Sequence, residues 1–485
     1  MNDVGQQPLT RRRRLLVLGI CCMSLLIVGL DTTIVNVALP SIRVSFHASV
    51  SGLQWTIDAY TLVLASLLML AGSTADRVGR RRIFQSGLFV FALGSLLCGL
   101  APSLPLLVAA RVLQAVGGSM LNPVAMSIVR NVFDDPRERA AAIGVWGGVF
   151  GISMALGPVV GGALVDSVGW RSVFFVNVPI GLAAIALTAA FVPESRAHRA
   201  RRLDPVGQVL VIAGLATLTY AIIEGPRTGW ASIEIIALFV FSLSCFVALV
   251  RYELHRFEPL IEMRFFRSAP FSGASAIAVC LFAAIGGFLF LNTLYLQDVR
   301  RLSPLQAGLY MLPMAGVMLV FAPLSGRLVG RYGARPSLVV GAGAVIVASL
   351  MLTGLSPTTP VGFLLAAYFV FGLGSGLLNP PITNTAVSGM PPAQAGVAAA
   401  IASTSRQVGM TLGVAVIGAI SGGTISAGIG TSFAAATHPG WWVMAGLGVM
   451  ILIVGIVTTT QWANQTASDT ASRFGRYEPE RVAMG

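Results

Sequence analysis

The chain is a succession of apolar runs, each close to the length that crosses a bilayer, separated by short polar or basic stretches. The first, from Leu15 to Ile42, carries a single charge, Asp31, before Ile42. About 20 apolar residues of helix cover the roughly 30 Å of hydrocarbon in a membrane, and on that rule spans are expected near 15–40, 53–75, 83–101, 104–130, 140–165 and 173–193. Two more follow near 206–224 and 231–252. A last block has spans near 271–297, 305–327, 337–356, 361–387, 394–420 and 439–461. The expected fold is therefore an all-α membrane protein with 14 spans.

Charge placement supports that count from a separate direction. The 485 residues are 55% hydrophobic and 11% charged, too little charge to cover a water-soluble surface. A formal charge of +13 would suggest nucleic acid in a soluble chain. Here all the basic residues are arginines, and most fall in loops on the amino-terminal side of the expected spans. Arg43, Arg171, Arg227, Arg300 and Arg301 fall on the other side, and Arg111 and Arg406 within spans. That bias places both termini in the cytoplasm and excludes nucleic acid as a partner. Cys21, Cys22, Cys98, Cys245 and Cys280 all lie in apolar runs, which suits small hydrophobes and neither a disulfide framework nor a metal site. The run from Leu15 is too long for the core of a signal peptide and reads as a retained first span.

The chain also repeats itself. Gly72, Arg77, Gly79 and Arg81 in Gly72-Ser-Thr-Ala-Asp76-Arg77-Val-Gly79-Arg80-Arg81-Arg82 recur at the same spacing as Gly326, Arg331, Gly333 and Arg335, with Gly330 in place of the acid. Gly117-Gly118-Ser119-Met120-Leu121-Asn122-Pro123 is echoed by Gly374-Ser375-Gly376-Leu377-Leu378-Asn379-Pro380. Two six-span blocks that share such markers read as copies. The organisation expected is a 1–14 amino-terminal arm, a 15–193 six-helix bundle, a 194–267 linker with two inserted spans, a 268–461 six-helix bundle and a 462–485 tail.

These motifs resemble the major facilitator superfamily, in its fourteen-span branch of drug:proton antiporters. The resemblance implies two six-helix bundles rocking about a central cavity in the inner membrane, exporting a small organic molecule against protons moving in. It implies no cofactor other than the proton, and partners limited to substrate, proton and membrane lipid, with a monomer as the working unit. The substrate would be amphipathic and could be cationic. A narrow exporter of one metabolite, amino acid, peptide or antibiotic is the alternative, and an uptake symporter a weaker one. No nucleotide-binding loop, metal-ligand cluster or nucleophile with its base points to an enzyme.

Several residues carry that expectation. Gly72, Asp76, Arg77, Gly79, Arg80 and Arg81 match the family's cytoplasmic gate. In the fifth span Ser153, Gly157, Pro158, Gly161 and Gly162 resemble the antiporter signature, where small residues allow close backbone approach and the proline bends the helix. Asp31 lies in the outer half of the first span, in a poorly solvated position that suits a proton carrier or an exchange site. Arg111 is costly in hydrocarbon, by roughly 2.5–3.5 kcal/mol on insertion scales; it stays protonated and so would act by tuning a nearby carboxylate. Asp58, one turn inside an apparent belt residue Trp55, is expected either to contact a cationic substrate or to be solvated at the helix mouth. With no embedded acid expected in the last six spans, Arg406, followed by Gln407, is expected to pair across the cavity or to make a state-dependent contact.

Overall fold

The computed structural model describes residues 10–133, 135–197, 203–256, 258–387, 395–425 and 431–483, and among these there are helices and turns and no strands. Arg199, Arg201 and Arg202, counted in the basic linker, lie outside the described residues.

The first half comprises α1 (Arg11–Phe46), α2 (Val50–Val78), α3 (Arg80–Leu100), α4 (Leu104–Val132), α5 (Pro136–Val168), the single turn α6 (Ser172–Phe175) and α7 (Asn177–Phe191). The inserted pair is α8 (Pro205–Thr228) and α9 (Ile233–His255). The second half comprises α10 (Ala269–Leu294), α11 (Pro304–Tyr310), α12 (Leu312–Tyr332), α13 (Ala334–Leu352), α14 (Val361–Val387), α15 (Ala395–Ile425) and α16 (Thr431–Val457), with α17 (Gln461–Ala483) after it. Helix starts follow local chemistry: Asp135 accepts from the Arg137 and Glu138 backbone N–H groups at 2.9 Å, and Ser303 with Gln306 forms a capping box.

Thirteen of these segments are long and apolar enough to cross a membrane. α15, 31 residues long, covers most of the expected span at 394–420 and is not among the thirteen. It is nevertheless flanked by α10, α16, α2 and α8. The tail contains α17, which buries Phe474 against Phe265 at a ring separation of 5.3 Å.

The halves meet along two seams. In one, α2 faces α15: Gln54 Nε2 donates to the Val414 and Ala415 carbonyls at 3.1 and 2.8 Å, and Thr411 Oγ donates to Thr61 Oγ at 2.9 Å. In the other, α5 faces α11 and α12, with Asp166 Oδ2 accepting from Ser303 Oγ at 2.8 Å and from the Leu305 N–H at 3.0 Å. Between them Arg43 at the end of α1 pairs with Asp298 at 2.8 Å, and Gln297 donates to the Val37 carbonyl at 2.9 Å. The Arg43, Gln297 and Asp166 ties lie toward the end away from the chain termini. Toward the other end, Gly144, Gly147 and Gly148 on α5 and Gly326 and Gly330 on α12 border open space.

The inserted pair is not a loose attachment. α8 lies against both α2 and α15. Gln208 Nε2 donates to the Ser66 carbonyl at 2.6 Å near one end, and Trp55 Nε1 donates to Glu224 Oε1 at 3.1 Å near the other. Leu62 and Ala65 pack with Val211, Leu215 and Leu249 between those bonds. Trp55 also faces Tyr220 at 5.9 Å and serves this contact.

Candidate functional site

Arginine and aspartate within apolar spans must find partners or water, and α1 and α4 bring theirs together. Arg111 NH1 donates to Asp31 Oδ2 at 2.5 Å, with the two side chains 1% and 0% exposed. The same nitrogen donates to Gln114 Oε1 at 2.6 Å, and Nε donates to the Thr56 carbonyl at 3.1 Å. The guanidinium also sits 4.1 Å from the ring centre of Tyr60, where the aromatic face adds attraction.

The second oxygen of Asp31 is held as well. Oδ1 accepts from Gln114 Nε2 at 2.8 Å and from Asn177 Nδ2 at 3.2 Å. Both amides donate in addition to Ser95 Oγ at 3.1 Å, and that hydroxyl donates to the Phe174 carbonyl at 2.9 Å. Five helices thus converge on one buried carboxylate. Arg111 and Gln114 are three apart and share a face of α4, and the short break between α6 and α7 delivers Asn177. Gln114, Asn177, Ser95 and Tyr60 are absent from the sequence-based candidates, since single uncharged polar residues in apolar spans carry little signal.

Asp58 is shut away from solvent. Its side chain is fully buried, so it is not solvated at a helix mouth, and it takes no part in the Asp31 network. It shares a face of α2 with Gln54 and Thr61, both bonded to α15. One carboxylate oxygen accepts from Thr61 Oγ at 3.5 Å, and the other has no partner.

Arg406 stays within the second half. It donates to Thr383 Oγ on α14, lies 5.9 Å from the ring centre of Phe282 on α10, and leaves Nε without a partner. In this conformation it does not pair across the cavity. Gln407 contributes its carbonyl to Thr411 Oγ at 3.1 Å. Asp298, in the helical turn Tyr295–Val299 that follows α10 and one residue beyond the expected span at 271–297, is 9% exposed.

The antiporter-like stretch of α5 is a contact strip. A Cβ on Gly157 would fall on Thr33 Oγ, and one on Gly161 would lie 2.6 Å from Ile34, both on α1. A Cβ on Gly162 would lie 2.5 Å from the Pro304 carbonyl on α11. Pro158 leaves α5 helical, and its carbonyl is approached by Gly308 of α11. Ser153 is buried on the same helix.

At the opposite end the turn between α2 and α3 depends on Gly79, whose φ of +128° favours glycine. Asp76 Oδ1 accepts from Arg80 Nε at 3.1 Å and NH2 at 2.9 Å, and the Asp76 carbonyl accepts from the Ala197 N–H at 3.1 Å. Glu194, just after α7, accepts from the Arg81 N–H at 3.1 Å and from the Ser195 N–H at 3.0 Å. Arg81 itself reaches the Ala189 carbonyl at 2.6 Å, Arg77 is exposed, and Gly72 makes ordinary contact with Pro123. The loop is therefore fastened to the chain leaving α7, with Glu194 as an anchor that its loop position concealed. In the second copy Gly333 keeps a positive φ of +79°, while Gly330 offers no carboxylate.

A family profile described as Major Facilitator Superfamily matches residues 21–414. The chain is 38% identical over 417 residues to the multidrug resistance protein Stp of Mycobacterium tuberculosis, covering 86% of this chain and 77% of that one. It is 36% identical to the tetracenomycin C resistance and export protein of Streptomyces glaucescens, over 82% of this chain and 74% of the relative. It is also 36% identical to the puromycin resistance protein pur8 of Streptomyces alboniger, over 91% of each. Among solved structures, a bacterial homologue of the human lysosomal transporter Spinster, inward-facing and occupied, superposes with a TM-score of 0.64 at 17% identity, covering 97% of this chain and 98% of that one.

Proposed function

This chain belongs to the major facilitator superfamily, a multi-pass membrane transport protein and not an enzyme, and on that premise we propose that it exports small organic compounds in exchange for protons. The export direction is supported by relatives named for drug resistance and efflux. The proton step is carried by one observation: Asp31 is sealed in a network whose strongest member is the Arg111 ion pair.

A proton arriving at Asp31 removes the negative charge that holds Arg111. The carboxyl then becomes a donor, and the two amide donors on Oδ1 face a weaker acceptor. Because Asp31, Arg111, Gln114, Asn177 and Ser95 come from α1, α3, α4 and α7, that change alters how the first bundle packs on itself. Substrate and proton thereby compete through the packing of α1, which also touches α5 at Gly157 and the second half at Asp298. Arg111 remains charged and serves to position and tune the acid.

The proposed organisation is two six-helix bundles with α8 and α9 inserted, α15 acting as a fourteenth span, both termini cytoplasmic in the inner membrane, and a monomer as the working unit. Boundaries at 15–193, 194–267 and 268–461 belong to the same reading. No cofactor beyond the proton is required. A narrower reading, export of one antibiotic or metabolite, is favoured by relatives named for tetracenomycin C and puromycin.

The test is efflux in energised vesicles. Asp31→Asn should abolish proton-driven efflux while the protein is still made and inserted; undiminished efflux would defeat the proposal. Protection of a drug-sensitive host against several unrelated compounds separates broad export from the narrow form.

A further inference from the structure

The inserted pair carries two buried acids that belong neither to the Asp31 network nor to the turn at Gly79. Asp204 caps the start of α8 and is 3% exposed; Glu253, in the last turn of α9, is 2% exposed. They flank Gly207, where a Cβ would lie 2.5 Å from Glu253 Oε1 and 2.9 Å from Asp204 Oδ2. The bare backbone at Gly207 leaves the room that brings the two carboxyl groups together.

Their surroundings differ. Asp204 Oδ1 accepts from the Gly207 N–H at 2.9 Å and from Tyr252 Oη at 3.2 Å, and Arg256 Nε lies 3.1 Å from Oδ2. Arg256 also donates to Tyr252 Oη at 2.5 Å and to the Leu203 carbonyl at 3.2 Å. Glu253 has no such set. The Ile261 and Leu260 N–H groups are near it, but neither Oε1 nor Oε2 makes a hydrogen bond of normal geometry. Of the other charged groups around it, Arg264 is paired with Glu262 at 2.9 Å on the adjoining turn Met263–Arg267, and Glu258 adds a further acid in the connecting segment. Arg251 and His255 are exposed on α9 itself.

Two buried carboxylates this close do not both ionise readily beside one guanidinium. Asp204, with its donors and Arg256, is the one equipped to stay charged. We infer that Glu253 is a proton-binding site that clasps the inserted pair to the first half, closed while Glu253 is protonated and released when it ionises. One turn beyond Asp204, Gln208 donates to the Ser66 carbonyl of α2, and Val211 and Leu215 pack on Leu62 and Ala65. An ionised Glu253 repels Asp204 and competes for Arg256, which loosens the start of α8 and with it this contact. The docked form holds a proton that the released form gives up, so docking is favoured at low pH and weakens as pH rises. Protons reach the site from the end that carries the chain termini, where Arg251, Tyr252, His255 and Arg256 line an open surface groove. The clasp is separate from Asp31 and does not depend on the export reading.

The test is backbone hydrogen exchange over residues 203–211 of the purified full chain in lipid nanodiscs, corrected for the intrinsic pH dependence of exchange. Between about pH 6 and about pH 9, a range that covers buried glutamates, wild-type exchange is expected to speed up, by at most about tenfold per pH unit for one proton. Glu253→Gln keeps a neutral side chain of the same shape and should stay protected with no such pH dependence. Asp204→Asn keeps a capping side chain but removes the neighbouring charge; it should also flatten the profile, because an ionised Glu253 then has Arg256 to itself. A wild-type profile flat in pH, either variant keeping the wild-type profile, or Glu253→Gln unprotected at the lowest pH would overturn the inference.

Discussion

Arg111 meets Asp31 across the contact between α4 and α1 at 2.5 Å, with both side chains shut away from solvent. Removing one member of such a pair leaves the other charge buried alone, at a cost of roughly 3–5 kcal/mol. Arg111→Gln is therefore expected to lower the thermal unfolding midpoint of the purified protein more than the double variant Asp31→Asn/Arg111→Gln does. A double variant no more stable than Arg111→Gln alone would show that the charge pair is not what holds α1 to α4.

Gly79 and Gly333 close the two copies of the α2–α3 type turn, and they are expected to differ under substitution. Both hold a positive φ, but a Cβ on Gly79 would also lie 2.7 Å from Glu194 Oε1, whereas Gly333 borders open space. Strain of this kind costs on the order of 1–3 kcal/mol. Gly79→Ala should destabilise more than Gly333→Ala in a melting experiment, and Glu194→Ala, which removes the clashing carboxyl, should reduce the gap between them.

Much of this was legible in the sequence, and what was not has a common cause. Asp31, Arg111 and Arg406 stand out because a charge in an apolar run is expensive, and the spans stand out because bilayer thickness fixes their length. Gln114, Asn177 and Ser95 look like any polar residue in a helix until α3, α4 and α7 converge. Glu194 and Asp298 sit at span ends, where acids are cheap and carry no signal of burial. The contact of Trp55 with Glu224 carries no sequence signal because it is set by how the inserted pair docks. Asp58 could not be assigned a side of α2 without knowing which helix faces it.

The contact between α5 and α11 is expected to govern which way the transporter faces. A Cβ on Gly308 would fall on the Pro158 carbonyl, a backbone atom that cannot turn aside. Gly308→Ala should part the halves at this end, read as a longer spin-label distance between Val44 and Leu309, two exposed positions. Asp298→Asn, which removes the partner of Arg43, should act in the same direction but less strongly. Shorter or unchanged distances in both would contradict the clasp.

Asp76 acts at the opposite end, where its carboxylate holds Arg80 and its carbonyl accepts from the Ala197 N–H. Asp76→Asn is expected to shift the same spin-label distance distribution without changing which compounds are exported. A changed substrate profile with an unmoved distribution would place Asp76 in recognition instead.

The most direct measurement is proton movement on adding substrate to proteoliposomes that contain the purified protein, compared with substrate exchange across the same membrane. The wild-type chain should move protons opposite to substrate. Asp31→Asn should lose that proton movement yet still exchange labelled for unlabelled substrate, since exchange needs a folded, rocking protein and no proton. Proton movement of wild-type size in Asp31→Asn would contradict the account.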